Sequence, residues 1–142
     1  MEYTSDSEDQ TIEIARNFAD EIKQDDILTL HGTLGMGKSV FARALIRALC
    51  KEPELDVPSP TFTLVQLYDA ADAQIAHFDL YRLEDPEEIF ELGWEDAISS
   101  GITLVEWPDR LGPYLPRERV DIHLQAGDNG PLTRKILIER VS

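Results

Sequence analysis

Basic side chains are scarce in this sequence: 13 Lys and Arg stand against 28 Asp and Glu, a formal net charge of −15. A protein that grips nucleic acid by itself needs a basic face, because phosphate contacts supply most of the affinity. The material for a large basic face is missing, so direct binding of RNA or DNA is disfavoured and basic protein partners are favoured. Cysteine is nearly absent as well. The single Cys50 cannot close an internal disulfide, which agrees with a reducing compartment. No apolar run approaches the length needed to span a bilayer, and no apolar N-terminal segment follows a basic start, so a cytoplasmic protein is expected. The three histidines, His31, His77 and His123, are far apart and lack companion cysteines, so a zinc site is not expected.

What is present is enough for one folded domain over residues 1–142, with 42% hydrophobic residues to build its core. Its organising stretch is Gly32-Thr33-Leu34-Gly35-Met36-Gly37-Lys38-Ser39, which fits the phosphate-cradling pattern G-x-x-x-x-G-K-[ST]. Glycines let the backbone bend tightly and turn its N–H groups inward, and the positive end of the following helix adds to the attraction for di- and triphosphate. Lys38 is placed to reach phosphate oxygens and the Ser39 hydroxyl to ligate Mg²⁺. A Gly-rich turn joining a strand to a helix is the plain alternative. The flanks speak against it: Ile27-Leu28-Thr29-Leu30 has strand character, and Val40, Phe41, Ala44, Leu45, Ala48 and Leu49 recur at helical spacing up to Cys50.

Around this unit the elements alternate. Residues 1–6 are expected to be loose, and Ser7 to Gln10 forms a capping box for a first helix reaching about Ile22. Two prolines in Val57-Pro58-Ser59-Pro60-Thr61-Phe62 forbid helix and predict a stiff, extended loop able to present the Thr61 hydroxyl; an ordinary connector is equally compatible with the spacing. Residues 62–68 and 74–81 predict an antiparallel hairpin, which interrupts a purely parallel sheet. Asp85 and Pro86 start a helix, Gly93 breaks it, and residues 94–99 add a turn or two. Ile102-Thr103-Leu104-Val105 predicts a buried strand ending on the carboxylate of Glu106, with Trp107-Pro108 stopping it. Residues 119–125 and 132–141 predict a closing hairpin. The fold class that follows is α/β.

Hydrolysis of a nucleotide needs phosphate grip, a metal and a group that orients water. Ser39 and Glu106 are the metal candidates, Asp79 and Thr61 possible additions, with a solvated surface acid the alternative for both Glu106 and Asp79. Cys50, near a helix end among apolar neighbours, is expected to be buried filler.

Four further stretches follow the loop in order: Ser59-Pro60-Thr61-Phe62-x-Leu64-Val65, His77-Phe78-Asp79-Leu80-Tyr81-Arg82-Leu83, Leu92-Gly93 and Leu104-Val105-Glu106-Trp107-Pro108. Together they resemble the bacterial TsaE (YjeE) family, the ATPase of tRNA threonylcarbamoyladenosine biosynthesis, over about residues 11–138. The resemblance implies a P-loop NTPase-like three-layer fold, with parallel central strands flanked by antiparallel hairpins. It implies binding of ATP or ADP with Mg²⁺, slow ATP hydrolysis, and work with TsaD and TsaB, tRNA being reached only through that complex. Carried across, Gly35, Met36, Gly37, Lys38, Ser39 and Val40 hold the nucleotide, with Thr61 in a switch-like loop, Trp107 bordering the pocket and Arg134 as a further basic contact. Lys38, Asp79 and Glu106 match the hydrolytic residues, Ser39 and Glu106 the Mg²⁺ positions. The family's usual loop reads Gly-Asp-Leu-Gly-Ala-Gly-Lys-Thr, so Thr33, Met36 and Ser39 depart from it; serine keeps the metal-binding hydroxyl. Two other functions stay open at this level: a nucleotide-gated binding module with incidental hydrolysis, and a small-molecule kinase using Asp79 as base.

Overall fold

The computed structural model describes residues 1–33 and 35–142; Leu34 of the phosphate-loop pattern lies outside them. Seven strands form one sheet: β1 (Glu2–Ser5), β2 (Ile27–His31), β3 (Val65–Asp69), β4 (Gln74–Asp79), β5 (Gly101–Glu106), β6 (Arg119–Ala126) and β7 (Arg134–Val141). Their spatial order is β1-β7-β6-β2-β5-β4-β3. The central pairs β6·β2, β2·β5 and β5·β4 are parallel, and β3·β4, β6·β7 and β1·β7 are antiparallel. The expected α/β architecture, with a parallel centre between antiparallel hairpins, is the one observed.

Alternation along the strands sorts the two faces. Leu28 and Leu30 of β2, Leu104 of β5 and Ile122 of β6 point to one side, where they pack with α1 (Glu8–Ala19) and α2 (Lys38–Cys50). On the other side Phe78 of β4 and Val105 of β5 pack under α3 (Trp94–Ser100) and the 3₁₀ segments Pro86–Leu92 and Pro108–Tyr114. Three layers result. Phe78 meets Trp94 edge-on at 5.1 Å between ring centroids, the geometry that opposed edge and face charges favour. Burying each such aromatic or branched side chain stabilises the fold by about 1.5–3 kcal/mol.

Several local expectations need correction. Residues 1–6 are not loose: β1 pairs with β7, where Tyr3 opposes Ile136, and the Met1 ammonium donates to the Ile138 carbonyl at 2.9 Å. The first helix ends at Ala19 rather than near Ile22; past it the Glu21 and Ile22 N–H groups bond three residues back, to Phe18 and Ala19, a turn tighter than α. Ser7 does cap that helix, accepting from Gln10 N at 3.2 Å, but the Gln10 side chain accepts from Asp6 N at 2.6 Å instead of closing the box on Ser7. The Pro-rich loop is extended only in part: the Leu64 N–H donates to the Pro60 carbonyl at 2.6 Å and closes one turn around Thr61. The helix that Asp85 caps, Pro86 opens and Gly93 ends is present as expected, with 3₁₀ hydrogen bonding. Cys50 is half-buried against the main core.

A buried acid secures the entry to β2. Asp26 accepts from both Arg140 Nη groups, at 3.0 and 2.9 Å, and from Lys23 N at 2.8 Å, tying the α1–β2 turn to β7. Burial by itself would raise the Asp26 pKa; the hydrogen bonds from Arg140 and Lys23 outweigh it and hold the carboxyl below its ordinary value. Arg140 is half exposed, so solvent screens part of the pairing. Asp26→Asn is expected to cost about 1–2 kcal/mol, a fall of about 4–8 °C in Tm at pH 7. Because the folded pKa is lowered, the contribution is complete above the unfolded value, about 3.9, and fades as pH drops through the folded one. The gap between parent and variant in thermal melts should therefore close in acid; a gap that persists at low pH would contradict the assignment.

Candidate functional site

The parallel register brings the chemistry to one place. Leu30 of β2 lies opposite Glu106 of β5, and Glu106 opposite Asp79 of β4, so three neighbouring strands finish level with one another. Clefts in α/β folds form outside the carboxyl ends of such strands, and one is found here. A cavity of about 390 Å³ is lined by the Gly35–Val40 segment, Thr61, Asp79, Glu106, Trp107 and Arg134. All residues singled out from the sequence for phosphate, metal and nucleotide contact are brought together around it.

The loop between β2 and α2 needs glycine at two points. A Cβ on Gly32 would sit 2.8 Å from the Leu124 carbonyl oxygen, closer than such atoms approach. Gly37 holds φ 95° and ψ 17° at the cap of α2, a left-handed conformation that other residues resist. Helix α2 then starts without a side-chain cap and with no acid in its first turn, whereas α1 has the Ser7 cap with Glu8 and Asp9 beside it. The first N–H groups of α2 are thus left for an external acceptor, and the helix dipole favours an anionic one.

Lys38 opens α2. Its Nζ atom is buried with no hydrogen-bond partner among the described residues and lies 3.4 Å from the centroid of the Trp107 ring. Burial pushes the ammonium below the ordinary lysine range, while Glu106, Asp79 and Asp109 pull it back. Trp107 is positioned by an uncommon backbone, φ 59° and ψ 53°, which turns the chain sharply after Glu106 at a cost of about 1–2 kcal/mol. Tyr81 packs on the same indole, tilted by 53° with 4.9 Å between centroids.

The two strand-end acids are both buried, Asp79 at 5% and Glu106 at 3% exposure, and they differ in what holds them. Glu106 Oε2 is 2.7 Å from His77 Nε2, itself buried. Asp79 Oδ2 accepts from the Thr61 hydroxyl at 3.1 Å and Oδ1 from Tyr81 N at 3.1 Å. Asp79 is therefore no solvated surface acid. The oxygen-only set of Ser39, Thr61, Asp79 and Glu106 suits a hard divalent cation such as Mg²⁺, and the buried Lys38 ammonium suits a polyanion beside it. Arg134 reaches the loop tip, donating from Nη2 to the Gly35 carbonyl at 3.2 Å, while its Nη1 donates to Pro131 and Thr133 carbonyls.

Sequence reasoning misses two contributors. The start of α1, with Ser7, Glu8 and Thr11, forms a wall of the cavity, and Leu132 another part of the rim. His77 stands out in the sequence only as part of a motif; two residues before Asp79 in β4 it shares that residue's face, and this spacing is the available signal. The other histidines come together: His31 and His123 stack at 4.4 Å, and ligand-type atoms of His31, Asp121 and His123 lie within 4.8 Å of one another. Asp121 is already engaged, accepting from Thr29 Oγ1 at 2.6 Å and from Arg119 Nε at 2.8 Å.

Comparison with known proteins agrees with this geometry. Residues 5–136 match the family described as threonylcarbamoyl adenosine biosynthesis protein TsaE. The tRNA threonylcarbamoyladenosine biosynthesis protein TsaE of Rickettsia conorii is 41% identical over 127 residues, covering 89% of this chain and 72% of the relative. That of Rickettsia bellii is 42% identical over 123 residues, 87% of this chain and 85% of the relative. That of Bacillus subtilis is 37% identical over 123 residues, 85% and 75% respectively. The crystal structure of Bacillus subtilis YdiB superposes with a TM-score of 0.78 at 27% identity, covering 100% of this chain and 86% of that one. Loop, strand-end acids and relatives converge: the chain has a P-loop fold and belongs to the TsaE family of threonylcarbamoyladenosine biosynthesis proteins.

Proposed function

We propose that this chain is an ATP- and ADP-binding, slow Mg²⁺-dependent ATPase that supports threonylcarbamoyl modification of the adenosine beside the tRNA anticodon. It does so in the cytoplasm, through a complex with TsaB and TsaD, and reaches tRNA only through them. The observation that carries the proposal is the buried Lys38 ammonium, without a hydrogen-bond partner among the described residues, at the uncapped start of α2 and near two buried strand-end carboxylates. A polyphosphate satisfies the amides and the ammonium together. Ser39 and Glu106 would hold the Mg²⁺, which when bound neutralises phosphate charge. His77 fixes the orientation of the Glu106 carboxylate, and Thr61 links the switch-like loop to Asp79.

Asp79 also favours a second role for the same site. Its oxygens accept one hydrogen bond each, from the Thr61 hydroxyl and the Tyr81 N–H, so the position of the carboxylate is coupled to the switch-like loop. Nucleotide could then act chiefly to set the shape of the chain for docking, with hydrolysis incidental. Two variants separate these roles. Lys38→Ala is expected to weaken ADP binding by about tenfold to a hundredfold, through loss of hydrogen bonds to a charged group. Glu106→Ala should keep nucleotide and partner binding but lower multiple-turnover modification of tRNA by TsaB–TsaD. Undiminished modification through many turnovers would leave the binding-module role as the correct one. His77→Gln is expected to raise the Mg²⁺ concentration needed for half-maximal ATP hydrolysis with little change in Tm.

The indole offers a direct readout of binding. Drawing the Lys38 ammonium off the Trp107 ring onto phosphate changes the environment of one of only two tryptophans, the other being Trp94, 2% exposed in the second core. Addition of Mg²⁺ and ADP should alter tryptophan fluorescence in the parent chain and leave a Trp107→Phe variant silent. An equal change in both would place the signal elsewhere.

A further inference from the structure

A second groove lies between α1 and α2, about 570 Å³, and its character is opposite to that of the chain. Arg16 comes from α1, Arg43 and Arg47 from α2, and Lys51 from just beyond it. These are four of the 13 basic residues of the chain, gathered in one groove while the nine others are spread among 28 acids. Among the described residues none of the four forms an ion pair. Arg47 donates Nε to the Leu55 carbonyl at 2.8 Å, which fixes its stem along the groove. Between the cations the floor is apolar, with Ile12 and Ala44 among its residues. Glu8 and Val40 line this groove and the nucleotide cavity alike, so the two adjoin.

We infer that this groove docks a short acidic, amphipathic protein segment carried by the partner complex, and this rests on the TsaB–TsaD assignment above. Arg43, Arg47 and Lys51 recur every four residues, a stripe of about 12 Å at 1.5 Å per residue. That length matches about two helical turns with carboxylates on one side, and the apolar floor accepts the other side. Nucleic acid fits less well. Its backbone offers no apolar face, and beyond so short a stripe it would run over an otherwise strongly acidic surface. The polarity of this contact is the reverse of the one that net charge suggests, the chain supplying the cations.

The test uses the full-length chain and purified TsaB–TsaD in calorimetric titrations at low and high salt. Arg16→Glu with Arg43→Glu should weaken binding at least tenfold, and the charge-keeping pair Arg16→Lys with Arg43→Lys should restore it to within about threefold. ADP affinity should stay unchanged in both. If the double variant melts early, Lys51→Glu, outside the helices, probes the same contact, and its binding should also weaken. Carbodiimide, which joins an amine to a carboxylate at contact distance, should couple Lys51 to an Asp or Glu of the partner. Parent-like affinity of the reversed-charge variants at low salt would overturn the groove assignment and leave the partner assignment standing. If the parent chain itself does not bind TsaB–TsaD, the partner assignment fails and the groove's occupant with it. Direct binding of labelled tRNA by the parent chain, lost in the reversed-charge variants, would make the occupant RNA and overturn the proposal.

Discussion

Three parallel strands stopping at the same level is the constraint on which the site depends. Leu30, Glu106 and Asp79 stand in register across β2, β5 and β4, so the chain leaves the sheet for the phosphate loop where two acids are already waiting. The acids approach one another only because each has its own support. Glu106 leans on a buried histidine, Asp79 on a hydroxyl and a backbone N–H. Removing a partner from such a buried group leaves it unsatisfied at a cost of about 1–3 kcal/mol, which is why the supporting residues matter as much as the acids.

Lys38 and Trp107 form the other half of the arrangement. The left-handed turn at Trp107 places the indole under the ammonium, and the contact between ring face and cation offsets part of the charge's desolvation. Backbone strain at this residue is therefore tied to the same group that has no hydrogen bond among the described residues. Without the ring, only the attraction of Glu106, Asp79 and Asp109 would offset the desolvation of the buried ammonium.

Much of this is legible in the residues. The phosphate loop carries its own mechanism in its spelling, and Glu106 stands out as a charge after the strand-like run Ile102-Thr103-Leu104-Val105. The hairpin and the closing pair of strands follow from alternation. Other features depend on register, which no single strand encodes. That His77 meets Glu106, or that His31 stacks on His123, requires knowing which strands are neighbours. Strand β1 is invisible in sequence because Glu2-Tyr3-Thr4-Ser5 has too few residues to show a pattern, and it exists by pairing with β7. The basic groove is hidden in the same way. Arg16 and Arg43 become neighbours only when α1 and α2 pack together.

The position of β1 bears on how the molecule is made. It pairs with β7, with Glu2 opposite Leu137, so two segments about 135 residues apart along the chain must find each other. Closing so long a loop is entropically slow. During synthesis β2 likewise lacks its neighbour β6 until about 90 further residues have followed it. A nascent chain can form α1, α2 and the β3–β4 hairpin early, yet its central sheet stays open along one edge. Such an edge invites pairing with other chains, so chaperone protection on the ribosome would matter most for this part of the molecule.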